Sequence, residues 1–401
     1  MRDPAVSGDR TMTRAERRDA IVESGGGPRV RHAPTTEAEL VDLLRSSAPQ
    51  TTFRILGAGT WSGVAEGIRA DATLDLSGLR GITEYVPGDL TLTARAGTTL
   101  AEIADATRAH GQWLPLDPWG SSAGTLGATL ATASTGPLAA TIGLPRDAAL
   151  GISVVDAAGV RTTAGGRVVK NVAGFDLVRL QVGAWGTLGI LTEATVRLRP
   201  LPAADRSLAI PLPATPDELA ALLMSLRQLS LGPLAMETVN QTLAVTAGLP
   251  GIPMLLLRVG GSHHAVAQTL EELSRHQGIS EIESNTWPAL ASTEPASATG
   301  VRYSVRPSQW PSLWTAVVAA SDASTRVHAT PSRGVVRVVA PTAMQHRVQQ
   351  AVAPLGAAVI AEANGPRLTS SPALAQLGRR VRDAFDPQRR LNPGVMDDGR
   401  S

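Results

Sequence analysis

The chain has no cysteine. It can therefore form no disulfide, hold no iron–sulfur cluster by its own thiolates and supply no thiol nucleophile, so any iron–sulfur chemistry it serves must belong to a partner. Lysine is almost absent: Lys170 stands alone against thirty-six arginines. Aromatic residues make up only 3% of the 401 positions, which leaves alanine, valine and leucine to fill the core. Residues 1–27 are polar and lack an apolar stretch, which excludes a secretory signal; a disordered leader over 1–26 is expected, with Met12 an alternative start to Met1. The uncharged run 118–145 is long enough to span a bilayer, but Gly, Ala, Ser and Thr dominate it and gain too little from hydrocarbon. No transmembrane segment is expected. The formal net charge is only +2, and the basic clusters at 14–18 and 379–390 carry no interleaved aromatics, so no nucleic-acid partner is expected either.

What is present is glycine, thirty-nine residues in the whole chain, and from 27 to 200 it punctuates short apolar runs. Runs at 52–56, 73–76, 90–94, 151–156, 168–170 and 191–198 have strand length and Gly, Pro or Asp borders. Helices fit 37–46, capped by Thr36, then 100–110 behind Thr98-Thr99, and 176–182. Two prolines in Arg199-Pro-Leu-Pro-Ala-Ala-Asp205 mark a boundary. Beyond it, Thr215-Pro-Asp-Glu opens a helix, and further helices are expected at 262–275, 308–320 and 342–354. Strands are expected at 236–239, 242–246, 254–259, 325–329, 335–339 and 358–361. A last helix over 371–385 leads into Asp386-Pro-Gln-Arg-Arg-Leu-Asn-Pro-Gly394. The fold class is α+β, with domains at 27–201 and 202–364 and a C-terminal segment, 365–401, returning to the first.

Four stretches of the first domain can carry chemistry. In Phe53-Arg-Ile-Leu-Gly-Ala-Gly-Thr-Trp-Ser-Gly63 a strand runs into glycines and hydroxyls, a composition that lets backbone amides converge on an anion. No helix of Rossmann type follows, so a pyrophosphate-holding loop between strands fits better. In 116–134 small residues at nearly every place let the backbone lie against a flat ligand. Close helix packing uses similar runs, but the Gly spacing and Thr content argue against a regular helix. The third, 144–159, opens on Arg146 and Asp147, which either pair with each other or face a ligand. The fourth, 165–193, is the densest Gly-rich stretch and contains Lys170.

In this order the stretches resemble the PCMH-type FAD-binding domain of the vanillyl-alcohol oxidase family. The resemblance covers 27–200 and is extended by the closing Leu391-Asn-Pro-Gly394. It implies that Gly57, Ala58, Gly59, Thr60, Trp61, Ser62 and Gly63 grip the FAD pyrophosphate. Asp117, Thr125, Leu126, Gly127 and Thr129 would lie along the cofactor, with Arg146 nearby. Gly186, Thr187, Gly189 and Ile190 would approach the adenosine and phosphates, and Asn392 would reach back toward the flavin. Lys170 would face flavin or phosphate, or else pair with Asp176. With no His or Cys at 57–63, the FAD is expected to be non-covalent.

The run 168–193 is similar to the flavin subunits of bacterial glycolate oxidase. Gly183-Ala-Trp-Gly186 carries an aromatic, and the His-x-Gly-Asp-Gly-Asn-x-x-His element of the D-type subunits is missing, so the E-type is the better match and no metal site is expected. That resemblance implies oxidation of a small 2-hydroxy acid, a D-type flavin subunit and an F-type iron–sulfur subunit as partners, and a cytoplasmic place, peripheral to the membrane through them. Such chemistry needs a cation for the carboxylate and a base for the hydroxyl proton. Arg302, Arg306, Arg333 and Arg367 are the candidate cations, His328 and Tyr303 the candidate bases. An assembly subunit with a degenerate flavin site, or a stand-alone alcohol or sugar oxidase, are the alternatives.

Overall fold

A computed structural model describes residues 30–60, 68–166, 176–293, 300–361, 367–368 and 372–395. The expected leader, Trp61, Ser62, Gly63, the expected strand at 168–170 and Lys170 lie outside the described residues.

The first half is built on two small sheets. A parallel sheet orders Val30–His32, Ala72–Asp75 and Phe53–Leu56. An antiparallel sheet orders Ile82–Val86, Thr91–Arg95, Ile190–Arg197, Ala149–Val155 and Arg161–Gly165. The helix Glu37–Ser46 starts where Thr36 accepts the Glu39 amide, and Leu100–Arg108 starts in a capping box between Thr99 and Glu102. Aliphatic side chains fill both cores, as the scarcity of aromatics requires; Leu92, Ile103, Leu126, Leu130 and Val196 are fully enclosed in one of them.

The chain crosses over after Arg199–Pro200, which still pairs with Gln112–Trp113 of the first half. Strand Ala204–Pro211 already belongs to a nine-stranded antiparallel sheet. Its order is Ser280–Ile282, Ala204–Pro211, Met254–Gly261, Ala235–Val239, Arg326–Thr330, Val335–Val339, Gly300–Ser304, Ala358–Ala361 and Arg367–Leu368. The last strand lies beyond the expected limit at 364. Two expectations are corrected. Residues 242–246 are not a strand but part of the helix Gln241–Thr246, because Asn240 accepts the Leu243 amide and caps it. The Gly- and Thr-rich run does contain a regular helix, Leu126–Thr132, for the same reason: Thr125 accepts the Ala128 amide, and that cap outweighs weak intrinsic propensity.

Strand alternation gives the large sheet two unlike faces. Val301, Tyr303, Val327, Ala329, Val336 and Val338 point to one face, where the helices Pro216–Leu226 and Trp310–Ala320 pack on them. The intervening positions point toward the first half. The C-terminal helix Pro372–Phe385 leads the chain back there: the Phe53 amide donates to Arg390 O at 2.7 Å, and Asn392 donates to Phe53 O at 2.8 Å. Arg390 is spent on this junction, donating to the carbonyls of Thr51 and Ala157 with its guanidinium over the Phe53 ring.

Candidate functional site

A cleft of about 1050 Å³, part of it open to solvent, runs between the two small sheets and the helix Leu126–Thr132. Its walls are backbone and short side chains, with larger apolar ones, Ile55, Ile190, Trp119 and Trp185 among them. Gly57, Ala58, Gly59 and Thr60 form one wall, Thr125, Gly127, Ala128 and Thr129 a second, and Trp185, Gly186, Ile190 and Asn392 a third. No Asp, Glu, Arg, His, Tyr or Cys is among the described lining residues. Recognition there rests on backbone groups, hydroxyls and shape.

The glycines are required by proximity. A Cβ at Gly57 would sit 2.5 Å from the Thr125 hydroxyl, and one at Gly127 would sit 2.5 Å from Ala96 Cβ. Asn392 ties the walls together: its side-chain oxygen accepts the Ile55 amide at 2.8 Å, and its side-chain nitrogen donates to Trp185 O at 2.7 Å. Both Asn392 and Trp185 adopt positive φ, +43° and +55°, a conformation asparagine tolerates well and tryptophan seldom takes. Trp185 is held in it by that bond and by donation of its own amide to Ala131 O.

Of the other residues expected around the cofactor, Leu126 is wholly buried in the core behind the cleft. Thr187 is buried with its hydroxyl donating to Ala184 O, and Gly189 packs toward Gln181. Arg146 is exposed and outside the cleft lining, and Asp147 accepts the Leu144 amide. Asp117 is one step removed from the lining. The residue is half-buried, but its carboxyl accepts the Leu138 amide at 2.9 Å, and burial, with the charge of Glu237 added, pushes it up to about 7. Pro118 and Trp119, next in the chain, do line the cleft.

Trp119 connects the cleft to the nine-stranded sheet of the second half, the cap sheet. Its ring lies 3.8 Å from that of His328, tilted by 38°. His328 Nδ1 is 2.8 Å from Glu237 Oε1, and the Thr330 hydroxyl donates to Glu237 Oε2 at 2.7 Å. The sheet register puts His328 opposite Arg337 and Arg337 opposite Arg302, so all of them share the face turned to the first half. Tyr303 does not. One residue further along, it points into the apolar core on the other face, where burial pushes its hydroxyl up to about 12, so it is withdrawn as a candidate base. Arg306 is exposed and bonded to Gln309, which removes it from the candidate cations. Arg333 stays: it donates to the Thr135 hydroxyl at 3.2 Å, next to Ser134 in the cleft wall. The side chain of Arg367 lies outside the described residues.

Trp119, Trp185 and Glu237 are absent from the sequence-based candidates. The two tryptophans had a signal, being rare aromatics within glycine-rich runs. Glu237 had none. Among the described residues no group of three or more His, Cys, Asp or Glu is arranged to hold a metal ion, and no helix is long and apolar enough to cross a membrane.

Comparison with known proteins agrees with this geometry. Residues 28–165 match the FAD binding domain family. The GlcE subunit of glycolate oxidase from Escherichia coli is 37% identical over 181 residues, 45% of this chain and 51% of that protein. The GlcD subunit from Bacillus subtilis is 32% identical over 200 residues, 48% and 42% of the two chains. A D-lactate dehydrogenase from Archaeoglobus fulgidus is 36% identical over 142 residues, 35% and 31%. The chain thus spans about half the length, or less, of these relatives. A solved alkyldihydroxyacetonephosphate synthase shares the fold with a TM-score of 0.67 at 16% identity, covering 91% of this chain and 75% of that one. The α+β architecture and a PCMH-type FAD-binding domain, with FAD as its cofactor, follow.

Proposed function

We propose that the chain is an FAD-binding subunit of a glycolate oxidase-type dehydrogenase, acting on a small 2-hydroxy acid. The cleft carries this reading: a large, uncharged channel walled by Gly57, Thr125, Gly186 and Asn392 suits a long cofactor held by backbone and hydroxyl donors. Bound there, FAD would supply the acceptor for the hydride of an alcohol carbon. The chain's own residues bind and orient it. The 57–60 loop offers amides and Thr60 its hydroxyl to the phosphates, Thr125 and Thr129 flank the helix start, and Asn392 fixes the spacing of two walls. With no His, Tyr or Cys in the described lining, attachment is non-covalent.

The partner reading rests on composition and on two of the named relatives, GlcE and GlcD, which are subunits themselves. A chain with no cysteine passes electrons to an iron–sulfur centre only on another polypeptide, and a D-type flavin subunit and an F-type iron–sulfur subunit fit that need. Their association would hold the chain in the cytoplasm, at the inner membrane face. Titrating FAD into the purified full chain tests the cofactor step: a visible flavin band bound to protein and released intact by acid is expected, and a colourless chain would favour the assembly-subunit alternative. Anaerobic addition of glycolate then tests the chemistry. Bleaching by the isolated chain supports oxidation by this subunit; bleaching only with partners present leaves it an electron relay.

A further inference from the structure

Two arginines of the cap face, Arg302 and Arg333, are held in an arrangement that makes poor sense without an anion. Arg302 carries a buried Nε with no hydrogen-bond partner. It is close enough to Arg333 for its charge to weaken, after burial, that residue's hold on its proton, an effect opposed by Glu237 and Asp117. Both acids are committed elsewhere: Glu237 to His328 and Thr330, Asp117 to the Leu138 amide. Among the described residues neither Arg302 nor Arg333 forms an ion pair; the only polar side-chain contact of Arg333 is the Thr135 hydroxyl. Neighbouring guanidiniums in a half-buried setting repel each other, and an unpartnered Nε forfeits its hydration, unless something with negative charge completes the site.

The fold spends structure on this placement. Arg333 lies at the tip of the hairpin joining Arg326–Thr330 to Val335–Val339, where Gly334 takes a φ of +66°. A Cβ at Gly334 would lie 2.1 Å from Val305 O, and the Val305 amide donates to Gly334 O at 2.9 Å, so the tip is locked against the end of the strand that carries Arg302. Thr135, the contact of Arg333, follows Ser134, a residue of the cleft wall. We infer that Arg302 and Arg333 form a binding site for the carboxylate of a small acid, in this chain and beside its cofactor cleft. A planar guanidinium fork matches a carboxylate, and no metal ion is needed to supply the positive charge. That the acid is the one oxidised rests on the function proposed above; the binding itself does not.

The probe is oxalate, a small carboxylate with no hydrogen on carbon to lose. Calorimetric titration into the full chain, with and without FAD, is expected to show saturable binding in both cases. Arg302→Gln and Arg333→Gln should each weaken it about ten-fold or more, Arg306→Gln should not, and all three variants should take up FAD like the parent. Absence of oxalate binding by the parent, affinity untouched in both variants, or inorganic phosphate bound as tightly as oxalate would overturn the inference. Should glutamine prevent folding at either position, Arg302→Lys and Arg333→Lys carry the test, and affinity equal to the parent overturns it. A chain that takes up no FAD at all would defeat the flavin reading alone; the oxalate series, with matching thermal unfolding midpoints as the control, would still decide for the two arginines.

Discussion

The two sides of this molecule recognise by opposite means. The cleft wall of the first half is uncharged among its described residues, rich in glycine, alanine and threonine with apolar side chains between them. The cap face opposite concentrates Glu237, His328, Arg337 and Arg302 on four neighbouring strands, with Arg333 at the tip of the hairpin between two of them. A long cofactor of varied chemistry is met by shape and many weak donors. A small acid offers little shape, and only charge can hold it. The residues that match the FAD binding domain family, 28–165, include the first two of the three cleft walls.

The comparison breaks most readily on the cleft side. Gly57→Val puts branched carbon where the Thr125 hydroxyl stands 2.5 Å from a Cβ, and flavin uptake measured by absorbance after desalting should fall about ten-fold or more, the scale of an overpacked site. Uptake equal to the parent would mean that the loop does not meet the cofactor. Asn392→Ala removes both of its bonds between walls and should cost about 1–3 kcal/mol in denaturant unfolding, with a matching loss of flavin affinity; loss of stability without loss of affinity would make the residue a structural tie only.

Asp117 joins the two sides and responds to pH. Burial raises its carboxyl from 3.8 to about 7 in the fold, so the folded chain holds a proton that the unfolded chain has released within that window. Stability should therefore fall as pH rises from about 4 to about 7, and Asp117→Asn, which keeps an acceptor for the Leu138 amide, should flatten that slope in thermal melts. An unchanged slope would place the titration elsewhere. The smallest effect is expected at Thr125→Ala, which loses the cap of the helix Leu126–Thr132 for about 1 kcal/mol.

The cleft was readable in the sequence because its demands are local. Gly57 and Gly127 are fixed by the close approach of neighbouring atoms, Gly59 and Gly186 by a positive φ, and both demands leave glycine at short spacing. The helix over Leu126–Thr132 was missed because propensity was weighed and its cap was not, although Thr125 stood in view. The cap face was legible only in part. Arg302 and Arg333 stand among four candidate cations in the sequence, but Glu237 and Arg337 do not, because strand register and a hairpin tip bring these residues together and no local pattern marks them. Tyr303 shows the same blindness, since one step along a strand moved it to the opposite face.

The measurement that bears most directly on this account is equilibrium dialysis of FAD against the full chain, read by absorbance before and after acid precipitation. One FAD per chain, wholly recovered in the acid supernatant, is the predicted result. A chain that binds none, or flavin that precipitates with the polypeptide, would contradict it.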